Sequence, residues 1–306
     1  MIPLFESVDL ASPAAVVQAF TRGADANRDA PCRRGSIDVI HGPGRLIATG
    51  DLHDNPMALA RLASLAGMTA AGGNPAAHLT LHEVVHSDRL SDGMDFSYRA
   101  LARVALLKQT FPEHVHTLLA NHELSQIMGA GIIKDGINVV GAFNEGVEYV
   151  FGEEAAQVQS AIGEFIKSMP LALLCESGPA SAASEPRDVL CAHSLPGPLA
   201  MERFDAGVLE RDLRDEDYLP RTGSAHAMVW GRGQRPVDLE RLAARWRVGL
   251  FVLGHEKAES GVLMVPPNAV VLNSDHERGK YLDIDLARPP AAKDVKGAAR
   301  PLMEIA

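Results

Sequence analysis

The sequence predicts an α/β fold built around a mostly parallel sheet, and two observations predict it. Between residues 36 and 123, strand-like segments alternate with helix-like ones, and the strands run out into polar, chemistry-bearing residues instead of ordinary turns. A β–α–β–α–β order makes successive strands parallel, because a crossover helix is needed to return the chain to the same end of the sheet. The polar strand ends then share one edge, which is where α/β proteins place their sites.

The elements follow in order. Residues 1–30 read as a peripheral helix, with Ser12 capping the apolar run 13–20. Residues 36–40 and 45–50, joined by His41-Gly42-Pro43-Gly44, read as a β-hairpin leading into the core. A helix over 56–68 carries Leu and Ala on one face, residues 78–86 form a second strand, and 97–112 is an amphipathic helix. Residues 114–123 form a third strand, and 124–170 are largely helical. Strands resume at 171–177 and 187–194, separated by an exposed loop over 178–186. Further strands are expected at 225–233, 248–256, 269–275 and 280–286, and 287–306 reads as a loose Pro/Ala/Lys-rich tail. The expectation is one domain over residues 1–306 with its core at about 36–286.

Apolar residues make up 46% and charged residues 22%, a globular balance. The net charge of −10 argues against a surface that coats nucleic acid, while leaving room for a local phosphate pocket. No apolar run approaches the roughly 18 residues of a membrane span, and the acids near the N-terminus do not fit a signal peptide. Three cysteines (Cys32, Cys175, Cys191) without a CxxC pair fit a reduced compartment, so a cytoplasmic protein is expected. The oligomeric state is not legible.

Five short segments at strand ends carry the chemistry: Asp51-Leu52-His53, Glu83 with His86, Asn121-His122-Glu123, His193, and Gly254-His255. Carboxylate, imidazole and an amide oxygen suit Mn, Fe or Zn. Asp-x-His is informative because residues two apart on an extended strand point the same way. Two ligand clusters sharing one carboxylate could hold metals about 3.5–4 Å apart, the spacing that activates water and clamps a phosphoryl oxygen. The segment His82-Glu83-Val84-Val85-His86 also has the HExxH form of zinc proteases. That motif needs a helix, and a β-branched segment after a Gly-Asn-Pro turn does not supply one.

The order Gly-Asp-x-His, an acidic segment, Asn-His-Glu, His, Gly-His resembles the calcineurin-like metallophosphoesterases, specifically their phosphoprotein-phosphatase branch, from about residue 45 to 285. The resemblance implies a four-layer α/β/β/α sandwich with two mixed β-sheets. It implies two metal ions, one held by Asp51, His53 and His255 and the other by Asn121 and His193, with Glu83 shared. A hydroxide held between the metals would attack phosphorus in line, and His122 would protonate the leaving oxygen. One motif departs. Where the family has Gly-Asp-x-x-Asp-Arg-Gly, this chain has residues 82–89, so that Glu83 takes the place of the bridging Asp, His86 that of the second Asp and Ser87 that of the phosphate-binding Arg. Asp88 and Arg89 are the candidate substitutes, and Arg232 is the candidate phosphate clamp. The expected substrate is a phosphate monoester on a protein or a small molecule. The alternatives are a dinucleoside polyphosphate hydrolase and a metal-binding regulatory module that has lost turnover.

Overall fold

Alternation of side chains along extended segments decides how the chain layers. In the computed structural model, residues 2–129, 133–134, 136–177 and 188–305 are described; the loop expected at 178–186 lies outside them. In chain order the first strands are β1 (Arg33–Arg34), β2 (Ile37–His41), β3 (Arg45–Thr49), β4 (His78–Leu81) and β5 (Val115–Thr117). A short pair, β6 (Ile133–Lys134) and β7 (Ile137–Asn138), comes next, then β8 (Ala172–Glu176) and β9 (Asp188–Ala192). The last are β10 (Val248–Leu253), β11 (Val262–Val265), β12 (Ala269–Leu272), β13 (Lys280–Asp285) and β14 (Ala299–Pro301). The helices are α1 (Pro13–Arg28), α2 (Pro56–Leu65), α3 (Tyr98–Thr110), α4 (Asn121–Met128), α5 (Val139–Phe151), α6 (Ala155–Ser168), α7 (Ser224–Trp230), α8 (Pro236–Trp246) and α9 (Val295–Ala298).

Two mixed sheets form the core, in the orders β1-β2-β8-β9-β10-β12-β11 and β14-β13-β3-β4-β5. Strands β3, β4 and β5 are parallel, as are β9, β10 and β12, while β13 runs antiparallel to β3. Leu46 and Ala48 of β3, Leu282 and Ile284 of β13, Leu173 and Cys175 of β8, and Leu250 and Val252 of β10 share one apolar cluster. Their period-two neighbours, such as Ile47, Phe251 and Val271, belong to another, which includes the helical residues Phe20, Leu101 and Phe165. One cluster therefore lies between the sheets and the other between sheets and helices, the sandwich that the motif order implies.

The structure corrects four local expectations. Segments 37–41 and 45–49 do not pair as a hairpin: β2 pairs in parallel with β8 and β3 with β4, so the Gly42–Gly44 corner moves the chain from one sheet to the other. The second strand stops at Leu81, and residues 82–86 form a loop. Residues 224–230 are a helix, because the buried Ala225, Met228 and Val229 recur at helical spacing. The tail is docked: β14 pairs with β13, and Val295 and Leu302 are buried. Helix α1 is less peripheral than its position suggests, since Val16 and Phe20 are fully buried, while Ser12 caps it as expected by accepting from Ala15 N–H.

Candidate metal centre

The centre begins where β3 ends. Beyond Thr49, Gly50 passes so close to Leu272 that a Cβ would stand 1.9 Å from its carbonyl oxygen, and this approach lets Asp51 bridge to Asn273 beyond β12. Both Asp51 oxygens accept from the His255 backbone N–H at 3.0 Å. That contact needs Gly254, whose Cβ would lie 2.2 Å from Asp51 Oδ1. His53 follows with φ 40°, and its backbone N–H donates to the Glu83 carbonyl at 2.7 Å. The loop after β4 is pinned in turn: Glu123 Oε1 accepts from Val84 and Val85 N–H at 2.7 and 3.2 Å, and Ser97 Oγ accepts from His86 N–H at 3.0 Å. Glu83, His86 and His255 also carry positive φ, a concentration of constrained backbone that marks functional sites.

The side chains converge in two groups around Glu83. Glu83 Oε1 lies 3.6 Å from His53 Nε2 and 3.7 Å from His122 Nε2. Glu83 Oε2 lies 3.3 Å from His193 Nε2, which is itself 2.7 Å from Asn121 Oδ1 and 3.2 Å from His255 Nδ1. Asn121 Oδ1 and His255 Nδ1 are 2.9 Å apart. The His255 ring thus stands with Asn121 and His193, and only its backbone serves Asp51, which differs from the division that the motif order implies. His82, passed over together with the HExxH reading, is in the centre too: its Nδ1 is 3.1 Å from His193 Nδ1 and 3.6 Å from Asp51 Oδ1. The signal that could have found it is its place at a strand end beside Glu83.

This donor set fits metal ions. The ligand atoms of Asp51, His82 and His193 all lie within 4.8 Å of one another, as do those of His53, Glu83 and His122. His193 Nε2, His255 Nδ1, an amide oxygen and a carboxylate oxygen crowd together, and two of these four atoms are acceptors only. One cation satisfies all of them at once, which protons on the rings do not. The electrostatics agree. Burial pushes Asp51 well up from its ordinary value, despite the opposing His255 N–H bonds. Burial pushes His193 well down, His255 down to about 3 and His82 down to about 4. The Asp51 carboxyl, which resists ionisation, beside imidazoles that resist protonation leaves a site lacking positive charge, which a divalent ion would supply.

No family model matches the sequence, and no curated protein matches it. Solved structures do. A protein serine/threonine phosphatase from Saccharomyces cerevisiae, with similarity to human phosphatase PP5, aligns over 90% of this chain and 83% of its own, with TM-score 0.64 and 14% identity. The cold-active protein-tyrosine phosphatase of a psychrophilic Shewanella sp. aligns over 91% and 84%, with TM-score 0.58 and 13% identity. The chain has the phosphoprotein-phosphatase fold.

In this phosphatase fold the centre opens into a cavity of about 890 Å³. Asp51, His53, Glu83, Asn121, His122 and His255 line it, and His193 sits fully buried beside them. Arg232 also lines the cavity, in the loop between α7 and α8 and not between strands, close enough for its charge to lower the His255 pKa. Of the two candidate substitutes, Asp88 lines the cavity, whereas Arg89 is largely exposed and hydrogen-bonds the Asp54 carbonyl. Lys257, Asp275 and Arg278 are cavity residues that no motif pointed to. Among the described residues, no helix is long and apolar enough to cross a membrane.

Proposed function

We propose that the protein is a metal-dependent phosphoesterase that hydrolyses phosphate monoesters carried on a protein or a small molecule. The observation that most supports this is the meeting of Asp51, His53, Glu83, Asn121, His122, His193 and His255 beside one open cavity. Asp51, His53 and Glu83 would hold one ion; Glu83, Asn121, His193 and His255 would hold the other. Bound Mn, Fe or Zn would supply Lewis acidity to the phosphoryl oxygens and lower the pKa of water. Glu83 offers one oxygen to each side, so it sets the separation of the two groups. His122 points Nε2 toward Glu83 Oε1 at 3.7 Å, where it can hand a proton to a leaving oxygen. The Arg232 guanidinium at the wall suits the remaining phosphate oxygens. The solved neighbours are named as serine/threonine and tyrosine phosphatases, which supports a phosphomonoester substrate. We place this activity in the cytoplasm, where a set of free thiols is at home.

The test is hydrolysis of p-nitrophenyl phosphate by metal-stripped protein before and after Mn²⁺ is added. Activity should appear with metal and fall by orders of magnitude in Asp51→Asn. A folded Asp51→Asn protein with unchanged turnover would sink the assignment. The outward turn of Arg89 favours one second reading, a metal-binding module without turnover. Metal-loaded protein inert toward both phosphomonoesters and dinucleoside polyphosphates would establish it.

A further inference from the structure

Arg99 and Arg103 lie four residues apart on α3, so their side chains are neighbours on one face of the helix. Like charges at that spacing repel, and among the described residues neither arginine has a carboxylate partner to offset it. Rings hold Arg99 instead. Its Cζ lies 4.9 Å from the Phe96 centroid and 5.7 Å from that of Tyr98, and its Nε donates to the Tyr98 hydroxyl at 3.4 Å. Arg103 is half-buried and packs over Phe5 at 6.0 Å. Its Nε is buried with no acceptor, and folded proteins seldom leave such a donor unused. Arg89 brings a third guanidinium. Its Nη2 lies 3.9 Å from Asp54 Oδ2, and Arg89, Arg103 and Arg99 all stand close enough for their charges to act on the Asp54 carboxyl. One carboxylate faces three guanidiniums, so the cluster keeps a surplus of positive charge.

The cluster adjoins the metal centre along the chain. Asp54 follows His53, and Arg89 follows Asp88, which lines the cavity. None of the three arginines lines the cavity itself, so a group held by them belongs to a part of the substrate beyond the scissile phosphate. We propose that Arg89, Arg99 and Arg103 form an anion subsite beside the metal centre, which takes a second phosphoryl group carried on the same peptide substrate. Guanidinium forks match phosphoryl oxygens two at a time, and arginine clusters are a recurrent means of reading phosphorylated segments. A phosphoryl group here gives Arg103 Nε its acceptor and cancels the repulsion between Arg99 and Arg103. The orientation of Arg89 then has a purpose. Tied to the Asp54 carbonyl, it leaves the scissile phosphate to Arg232 and serves the flanking one. The exposed Tyr149, edge-on to Phe96 at 6.2 Å, extends the surface beside Arg99 as an extended peptide requires.

The substrate role of the subsite rests on the proposed function, whereas its affinity for an anion does not, and the test has an arm for each. In the first, metal-free protein is titrated with inorganic phosphate at constant ionic strength while the arginine Nε–H signals are followed by ¹H–¹⁵N NMR. The Arg103 signal, assigned by its absence in Arg103→Ala, should shift in a saturable way. Arg99→Ala, at an exposed position, should weaken that binding by about 10–100-fold. No saturable shift, or one indifferent to Arg99→Ala, overturns the subsite. The second arm uses Mn²⁺-loaded protein and phosphoserine peptides bearing a non-hydrolysable phosphonate analogue of phosphoserine one to four residues to either side. At the spacing that fits, KM should be about 10–100-fold lower than for the same peptide with serine in the second place. The double variant Arg99→Ala, Arg103→Ala should abolish that advantage. No advantage at any spacing, or one that survives in the double variant, overturns the substrate role even where phosphate binds in the first arm. If the double variant fails to fold, Arg99→Ala, which should cut the advantage several-fold, decides in its place. Absent hydrolysis of every peptide would strike the phosphoesterase reading, and the substrate role with it, while the phosphate titration would still decide the subsite.

Discussion

At the scale of single residues, Gly254 and Arg232 carry the sharpest expectations. A methyl group on Gly254 would meet Asp51 Oδ1 at 2.2 Å and His82 Cε1 at 2.6 Å, both in fully packed surroundings. Gly254→Ala should displace one of them and weaken Mn²⁺ binding about tenfold or more, as loss of a supporting contact does elsewhere; calorimetry checks this. Arg232→Ala should leave metal content alone and raise KM for a phosphomonoester by about 10–100-fold, the worth of one or two charge-assisted hydrogen bonds. Arg89→Ala, with its guanidinium turned to the Asp54 carbonyl, should change KM little. Asp51, His53, Asn121, His193 and His255 were legible because each follows a strand closely in a short, unusual context, Asn121 as the first residue of α4. His82 shares that signal, but the segment 78–86 reads as one strand running past it, and its contact with His193 lies 111 residues away.

At the scale of elements, alternation of apolar residues identified β3, β8, β10, β12 and β13 but not their partners. Residues 37–49 look like a hairpin because turn chemistry is local, whereas the sheet switch at Gly42–Gly44 depends on β8 and β13, far along the chain. Residues 225–233 looked like a strand because a short apolar run fits either period, and packing of Ala225, Met228 and Val229 decided for a helix. The layer between the sheets is the element most sensitive to truncation. Leu282→Ala, at a fully buried site facing Ala48 on the neighbouring strand, should cost about 2–5 kcal/mol in urea unfolding. The tail makes a complementary case: Leu302→Ala should lower stability measurably, as it would not in a loose segment.

At the scale of the whole molecule, a second buried network ties the two sheets together. Asp38 on β2 pairs with Arg33 at 2.8 Å and with His116 on β5 at 2.8 Å, and Lys108 stands 4.0 Å away. Burial alone would raise the Asp38 carboxyl, but the His116 hydrogen bond and the nearby positive charge hold it well below its ordinary 3.8. Burial pushes His116 down, so the ring joins as a neutral donor and Arg33 supplies the balancing charge. A depressed carboxyl contributes stability that is complete above the unfolded value and lost as pH falls through the folded one. Stability of the metal-free protein should therefore decline below about pH 4. Asp38→Asn should flatten that decline and cost about 3–5 kcal/mol at neutral pH, because it strands buried cations; urea midpoints across pH measure both.

The metal centre draws on both sheets. Asp51, Glu83 and Asn121 follow strands of one, and His193 and His255 follow strands of the other. A growing polypeptide that has emerged only as far as β9 thus owns most of the donors but not a finished second pocket. Only when β10 slots between β9 and β12 does His255 arrive, and its backbone N–H then locks Asp51. Under the proposed function, metal loading would be a maturation checkpoint, closed to any chain truncated before that strand and open only after the two sheets have met.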